Sequence, residues 1–227
     1  MEPLEYKHIT FKHPFTCIVA GPSGSGKTLL IRRIIKNTHL LVSNLSLPIN
    51  VLWAHGQDQP LYSVPINNKY VNVMYFKGLP NENQINQFEP DIIVVDDLMQ
   101  KLSNSPIFQK IYTKWSHHKN ISVFFLSQNL FYKSPIMRTL STNARYFLLM
   151  KNPRDRSQVI NLAKQIYPYN NKFFVEAYND ATKASYGYIK IDLTPDTPED
   201  FRLQSRITPE ENNLKFQPII HVPENVK

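Results

Sequence analysis

One stretch decides the fold of this chain, and it reads Gly21-Pro22-Ser23-Gly24-Ser25-Gly26-Lys27-Thr28. It fits the pattern G-x-x-x-x-G-K-[ST] at every position, which is typical of a loop that cradles nucleotide phosphates. The apolar run 15–20 before it predicts a buried strand, and the amphipathic run 29–35 after it predicts a helix. Strand, loop and helix therefore come in the order that the motif requires, and a glycine-rich turn that binds nothing is the alternative.

The residue types in this loop predict how ATP and Mg²⁺ are held. Glycines let backbone N–H groups turn toward the β- and γ-phosphates, and the following helix N-terminus adds partial positive charge. We expect Lys27 to reach the phosphate oxygens and the Thr28 hydroxyl to ligate Mg²⁺. The whole stretch from Gly21 to Thr28 is thus the predicted nucleotide-binding site.

A second motif consists of four β-branched residues, 92–95, followed by Asp96 and Asp97. This pattern is typical of a buried central strand in a parallel sheet, whose carboxyl end meets the nucleotide. Asp96 is predicted to hold Mg²⁺ through water, and Asp97 to orient or deprotonate the attacking water. The alternative is a strand that ends in a turn-favouring acidic pair.

Two further segments are expected to bring polar side chains to the carboxyl edge of the predicted sheet, where Asp96 and Asp97 lie. The apolar strand predicted over 121–126 is followed by Gln128, a candidate sensor that would hydrogen-bond the γ-phosphate or the lytic water. Simple capping of the strand is the alternative. The basic turn 151–156 opens an amphipathic helix, so Arg154 and Arg156 are predicted to reach a phosphate unless they are only solvated charges at a helix start.

Composition restricts the partners and the location. Lys and Arg number 26 against 18 Asp and Glu, and the formal net charge of +8 favours a polyanion such as DNA over the alternative of a merely soluble basic protein. A single cysteine excludes a disulfide framework and a cysteine-based zinc site. We expect an intracellular protein without a membrane partner, because no signal peptide and no apolar run of about 20 residues is present.

Together with the two motifs, the apolar segments in the rest of the chain predict an α/β fold of the P-loop NTPase class, with a central, mostly parallel sheet flanked by helices. Further strands are expected over 49–54, 71–76, 144–150 and 186–193, the last being the final strand, and 55–69 is expected to be a long loop. A helix with core-facing aromatics is expected over 107–118. We predict an ATPase domain over 1–193 and a proline-rich, extended C-terminal tail over 194–227.

Four motifs carry a more specific resemblance, which extends to about Leu193: His13-Pro14-Phe15-Thr16, Val94-Val95-Asp96-Asp97-Leu98-Met99, Lys151-Asn152-Pro153-Arg154-Asp155-Arg156-Ser157-Gln158, and Ala181-Thr182 to Tyr186-Gly187-Tyr188. The chain order of glycine-rich loop, acidic pair and later polar residue is similar to the additional-strand (ASCE) class of P-loop ATPases. In that class the strand that ends in the later polar residue lies between the two Walker strands, which are the strand before the glycine-rich loop and the strand that ends in the acidic pair. More narrowly, the chain closely resembles the FtsK/HerA-type genome-packaging ATPases of Polinton (Maverick) elements and adintovirus-like DNA viruses.

The resemblance implies an ATP-driven motor that assembles as a homo-oligomeric ring, a hexamer or pentamer, and pumps double-stranded DNA into a viral capsid through its portal vertex. Lys27, Thr28, Asp96 and Gln128 map onto the motifs of that family. The second acidic residue of the wider superfamily is usually glutamate, whereas this chain has the shorter Asp97. The resemblance also implies an arginine that acts in trans, and the candidates in order of preference are Arg154, Arg156, Arg145 and Arg138.

Two other functions remain open. A small P-loop kinase acting on a nucleotide or polynucleotide end would use Arg154 and Arg156 to clamp the donor phosphates. A non-catalytic nucleic-acid-binding protein would retain only the fold. The acidic pair and Gln128 favour hydrolysis over transfer to a hydroxyl, and a non-catalytic protein is disfavoured because no site residue is missing. For a DNA partner, the candidate phosphate contacts are Lys69, Lys119 and Lys133.

Overall fold

The computed structural model describes residues 9–98, 119–130, 135–213 and 217–223. The predicted helix over 107–118, Met99 and Lys133 lie outside these ranges. Within them the strands are β1 Phe11–Lys12, β2 Thr16–Ala20, β3 Val42–Ser43, β4 Ile49–His55, β5 Val71–Lys77, β6 Ile92–Asp96, β7 Ser122–Ser127, β8 Tyr146–Met150, β9 Tyr188–Asp192, β10 Leu203–Ser205 and β11 Ile219–Ile220. The α-helices are α1 Lys27–Lys36, α2 Thr38–Leu41, α3 Glu82–Phe88, α4 Pro135–Asn143, α5 Ser157–Ile166 and α6 Asn171–Ala181.

The main sheet has nine strands among the described residues, in the order β11-β10-β9-β8-β2-β7-β6-β4-β5. The run from β8 to β5 is parallel, and β9, β10 and β11 extend it by antiparallel pairing. Strand β7 lies between β2, which leads into the glycine-rich loop, and β6, which carries the acidic pair. This position confirms the predicted additional-strand class of P-loop NTPase.

Two apolar layers cover the sheet, one on each face. Alternate residues of β2 divide between them: Ile18 packs in the layer with helices α5 and α6, and Val19 packs in the layer with α1. Helix α1 buries Leu30, Ile31, Ile34 and Ile35 in that second layer. The strands of the sheet centre are buried throughout, as their uninterrupted apolar sequences predict.

The parallel strands bring the predicted site residues to one edge. Ala20 pairs with Ser127 on β7 and with Leu149 on β8, and Asp96 pairs with Leu126. The residues that follow β2, β6, β7 and β8 therefore emerge side by side at the carboxyl edge of the sheet. Ligands of open α/β sheets bind at this edge.

The predicted C-terminal tail is corrected by the structure. The segment beginning at Thr194 adds β10 and β11 to the main sheet, so β9 is not the final strand. Side chains of this segment are tied to the domain: Glu210 accepts two hydrogen bonds from Asn37 Nδ2, at 3.0 and 2.9 Å, and Glu211 accepts one from the Tyr188 hydroxyl at 2.7 Å. The chain therefore has no structural boundary at residue 193.

A buried lysine of β9 explains why the later segment belongs to the fold. Lys190 is fully buried, and its Nζ donates to the Ile9 carbonyl at 2.6 Å and to Gln204 Oε1 at 3.1 Å. Burial lowers the pKa of Lys190 to about 8. Because buried polar groups must be paired, β9 requires both the N-terminal lead-in and β10.

None of the helices in the described part of the chain is both long and apolar enough to cross a bilayer.

Candidate functional site

The glycine-rich loop wraps the N-terminus of α1. Gly24 and Gly26 have φ values of 76° and 95°, a region that residues with a side chain rarely enter. The loop starts where the Gly21 N–H donates to the Ser127 carbonyl at 3.1 Å. Helix α1 has no acidic residue in its first turn and carries Arg33 and Lys36 in its last turn. Its N-terminal partial positive charge is therefore available to an anion.

Lys27 lies over the same loop. Its Nζ donates to the Gly21 carbonyl at 2.6 Å and to the Pro22 carbonyl at 2.9 Å. Burial lowers the pKa of the Lys27 ammonium, and the carboxylates of Asp96 and Asp97 oppose that shift. The ammonium is thus positioned inside the loop, between its carbonyls and the acidic pair.

A cavity of about 290 Å³ opens over these groups. It gathers residues from the loop, from α1, from the segment after β4 and from the ends of β6 and β7. The lining side chains and backbone come from Ser23, Gly24, Gly26, Lys27, Thr28, Leu29, Gln59, Leu61, Asp96, Asp97, Leu126 and Gln128. Most of the predicted phosphate, metal and water-positioning residues therefore share one cavity.

Asp96 and Thr28 form the candidate metal centre. The Thr28 hydroxyl donates to Asp96 Oδ2 at 3.0 Å, and the Tyr62 hydroxyl donates to the same oxygen at 3.0 Å. Burial raises the pKa of the Asp96 carboxyl, while these two hydrogen bonds lower it. Burial and the Asp96 charge raise the pKa of Tyr62 above its usual range.

These donors fit Mg²⁺ arriving with a nucleotide. A hydroxyl and one carboxylate are hard oxygen ligands, and Mg²⁺ completes its shell with phosphate oxygens and water. Among the described residues no group of three or more His, Cys, Asp or Glu side chains is arranged to hold a metal by itself. Ser25 Oγ, inside the loop, is buried without a hydrogen-bond partner in that same part of the chain.

Asp97 follows β6 in an uncommon backbone conformation. Its φ is 54°, in the left-handed region that aspartate and asparagine enter more readily than other side chains. Its neighbour across the sheet is Gly56, whose N–H donates to the Asp96 carbonyl at 2.9 Å. A Cβ added at Gly56 would overlap the Asp97 carbonyl oxygen. The absence of a side chain at 56 thus permits the backbone path of Asp97.

We predict that Gly56→Ala displaces Asp97 and lowers ATP turnover. Overpacking costs about 1–3 kcal/mol of stability, and a misplacement of about 1 Å can cost about 10²-fold in rate. Gly78→Ala is the matched control, because Gly78 has a φ of 95° with open space around it. It should lose about 1–2 kcal/mol of stability and retain turnover. Thermal unfolding and phosphate release measured on both variants check this, and equal turnover in the two would contradict it.

Gln128 is exposed and lines the cavity together with Asp96 and Asp97. It also lines a small crevice with Gly21, Asn152 and Gln158, so the end of β7 lies beside the turn after β8. The structure therefore places Gln128 beside the predicted phosphate-binding loop, and its sensor role stays a prediction.

Arg154 and Arg156 belong to that turn after β8, at the same edge of the sheet. The turn is held by Asn152 Oδ1, which accepts from the N–H groups of Arg154 at 3.1 Å and Asp155 at 3.2 Å. Both arginine side chains are exposed, and within the described residues the Arg154 guanidinium has no hydrogen-bond or ion-pair partner. Neither arginine is among the residues that line the cavity, and their contact with a phosphate stays a prediction.

The other two candidate arginines are placed differently. Arg145 lies at the amino end of β8, away from the cavity, and its Nη1 donates to the Pro14 carbonyl at 2.9 Å. Arg138 is exposed on α4. This geometry favours Arg154 and Arg156 over Arg145 for a role at the nucleotide edge.

Sequence analysis missed two tyrosines at the site. Tyr62, which bonds Asp96, comes from the predicted loop 55–69, where no period or motif marks it. Tyr186 has a φ of 59° and is exposed; its ring lies against Gly26 and lines a second cavity of about 440 Å³ with Arg33 and Arg206. The only sequence signal for Tyr186 was its position in the Tyr186-Gly187-Tyr188 motif.

Comparison with known proteins gives matches only at the level of structure. No protein-family model matches the sequence, and no curated protein matches it. The crystal structure of B204, the DNA-packaging ATPase from Sulfolobus turreted icosahedral virus, is similar over 94% of this chain and 100% of that chain, with 13% identity and a TM-score of 0.50.

Two further solved structures are similar to a lower degree. The genome-packaging NTPase B204 from Sulfolobus turreted icosahedral virus 2, in complex with ATP-γS, has 12% identity and a TM-score of 0.49, covering 92% of this chain and 97% of that chain. The Legionella pneumophila ATPase DotB has 16% identity and a TM-score of 0.43, covering 63% and 42%. Together with the sheet order and the glycine-rich loop, the similarity to B204 shows that this chain has the fold of a P-loop ATPase.

Proposed function

We propose that this protein hydrolyses ATP to move double-stranded DNA into a viral capsid, as one subunit of a homo-oligomeric ring. The observation that carries the proposal is the single cavity shared by Lys27, Thr28, Asp96, Asp97 and Gln128. The fold shared with a DNA-packaging ATPase supports the type of motor, and the net charge of +8 supports a polyanionic track.

The residues of the cavity have distinct roles in this proposal. The N-terminus of α1 and the Lys27 ammonium bind the phosphates, and Lys27 exchanges its bonds to the loop carbonyls for bonds to phosphate oxygens. Asp97 orients the attacking water and accepts its proton, while Gln128 hydrogen-bonds the γ-phosphate. Mg²⁺ held by Thr28 and Asp96 supplies further neutralisation of phosphate charge. These groups stabilise the charge that develops in the transition state.

The assignment to a particular group of packaging ATPases rests on the sequence motifs. We infer that the chain belongs among the packaging ATPases of Polinton and adintovirus-like elements, that its ring is a hexamer or pentamer at a capsid or portal vertex, and that it acts inside the host cell. We also infer that the second cavity, beside Tyr186, takes the nucleotide base and sugar, because its lining includes Gly26 of the loop and neither residue of the acidic pair.

Phosphate release measured with and without double-stranded DNA tests the proposed function. A motor is expected to release phosphate faster when DNA is present, and Lys27→Ala should abolish release in both conditions. A kinase would transfer phosphate only to an added acceptor hydroxyl. A protein that only binds nucleic acid would release none. Either of the last two results would overturn the proposal.

We predict that DNA binding is independent of sequence and weakens steeply with salt. Neutralised phosphates release counterions, so the log–log slope of affinity against salt should be about 0.9 per contacted phosphate. The candidates Lys69 and Lys119 are exposed at the amino edge of the sheet, opposite the cavity, where Lys119 Nζ donates to Asn86 Oδ1 at 2.5 Å. Fluorescence anisotropy at several salt concentrations measures the slope, and salt-insensitive or strongly sequence-selective binding would contradict the prediction.

A further inference from the structure

Among the described residues outside the glycine-rich loop, helix α1 and β6, Tyr62 donates a side-chain hydrogen bond to a carboxylate of the acidic pair. It lies in the 3₁₀ turn Pro60–Ser63, and its hydroxyl donates to Asp96 Oδ2 at 3.0 Å. The Thr28 hydroxyl donates to the same oxygen at the same distance. Two donors from different segments therefore fix one carboxylate oxygen.

We propose that Tyr62 is a positioning residue that orients the Asp96 carboxylate for binding of the magnesium–nucleotide complex. The inference rests on the proposed function, because it assigns a role within the same nucleotide site. Tyr62 does not contact the phosphates or the metal in this role. It acts through Asp96.

The tyrosine ring is held in place by other aromatic side chains. Its centroid lies 4.4 Å from that of His55, 5.3 Å from that of Tyr75 and 6.0 Å from that of Trp53. His55 and Trp53 are buried on β4, the strand next to β6. A ring packed on three sides loses little further freedom when it donates its hydrogen bond, which is the condition for an effective orienting group.

The backbone around Tyr62 is held by the helix that carries Thr28. Arg32 lies one turn after Thr28 on α1 and is buried. Its Nη1 donates to the Tyr75 hydroxyl at 2.6 Å, and its Nη2 donates to the Val64 carbonyl at 2.5 Å. The same helix therefore places the metal-binding hydroxyl and anchors the segment that supplies the second donor to Asp96.

This arrangement leaves the other oxygen of the carboxylate available. Among the described residues, Asp96 Oδ1 accepts no hydrogen bond, whereas Oδ2 accepts two. With Oδ2 held in this way, Oδ1 would be the oxygen that takes part in holding Mg²⁺ when it binds. Hydrogen bonds that orient a metal-binding group typically contribute a factor of about 10–100 in metal affinity or activity.

The test is Tyr62→Phe, which removes the hydroxyl and keeps the packed ring. Binding of a fluorescent, non-hydrolysable ATP analogue is measured while Mg²⁺ is titrated, and again in excess EDTA. We expect the apparent Mg²⁺ affinity to fall by about 10–100-fold. Nucleotide affinity in EDTA should remain that of the wild type, because the phosphate-binding groups are unchanged.

Tyr146→Phe is the matched control, since it removes a buried tyrosine hydroxyl that accepts the Lys12 N–H at 3.0 Å, at the amino end of β8. It should leave the apparent Mg²⁺ affinity unchanged. The proposal is overturned if Tyr62→Phe has wild-type Mg²⁺ affinity, or if Tyr146→Phe weakens it equally, which would assign the effect to a general loss of stability. A wild-type protein that binds no nucleotide would instead remove the proposed function, and with it this role.

Discussion

Asp97→Asn is expected to bind ATP with wild-type affinity and to lose turnover by a factor of about 10²–10⁴, the usual contribution of a positioned general base. Asparagine has the same shape but cannot accept the proton of the attacking water. It also enters the left-handed region as readily as aspartate, so the φ of 54° at this position can be kept. Equilibrium nucleotide binding and single-turnover phosphate release measure the two effects separately.

The same chemical change at the other end of the strand provides the control. Asp91 precedes β6, and its Oδ2 accepts the Asn50 N–H at 2.8 Å, a bond that an asparagine oxygen can also accept. Asp91→Asn should therefore leave turnover unchanged. Near wild-type turnover of Asp97→Asn at saturating Mg²⁺ would mean that another group positions the water.

Arg154→Ala is expected to lower ATP hydrolysis by the proposed ring by about 10³–10⁵, the range known for arginine fingers. The reason is that the groups proposed to bind phosphate, metal and water line the cavity, whereas no arginine among the described residues does. A ring built by head-to-tail interfaces can supply a guanidinium from the next subunit. Arg154 is exposed at the same edge and unpaired among the described residues, and the fixed φ of the preceding Pro153 restricts the backbone of this turn.

Mixing two inactive variants decides whether Arg154 acts between subunits. Lys27→Ala and Arg154→Ala should each be inactive alone, and mixed rings should recover hydrolysis where an intact loop meets an intact arginine. Lys164→Ala, which removes an exposed cation from the following helix, should remain active alone. Mixed rings that are shown to form yet recover no activity at any ratio would exclude Arg154 as a trans finger and transfer the role to Arg156.

The strands and helices around the motifs were predictable because each has a strong local signal. The buried strand before the loop, the β-branched strand ending in Asp96, and helix α1 over Lys27–Lys36 all follow from apolar spacing within a few residues. Parallel pairing then brings the carboxyl ends of the strands together without any further information. The positions of Lys27, Asp97 and Gln128 around one cavity could therefore be anticipated from sequence.

The parts that were missed depend on contacts between distant residues. Strands β10 and β11 have three and two residues and lie among prolines, so neither shows a period. Their place is set by long-range pairing, as when Gln204 bonds Lys190. Tyr62 likewise bonds Asp96 across 34 positions of sequence from a loop without a pattern. Propensity and periodicity carry no information about such contacts.

The backbone at Asp97 has a consequence for engineering this protein. A substitution to glutamate would add the reach that the wider superfamily has at this position, but a longer side chain is disfavoured at a positive φ. Because Gly56 lies close to the Asp97 carbonyl, the backbone that follows β6 also cannot shift toward β4 to make room for the longer side chain. A faster variant would therefore require a redesigned connection after β6, with a new backbone path chosen before the acidic side chain.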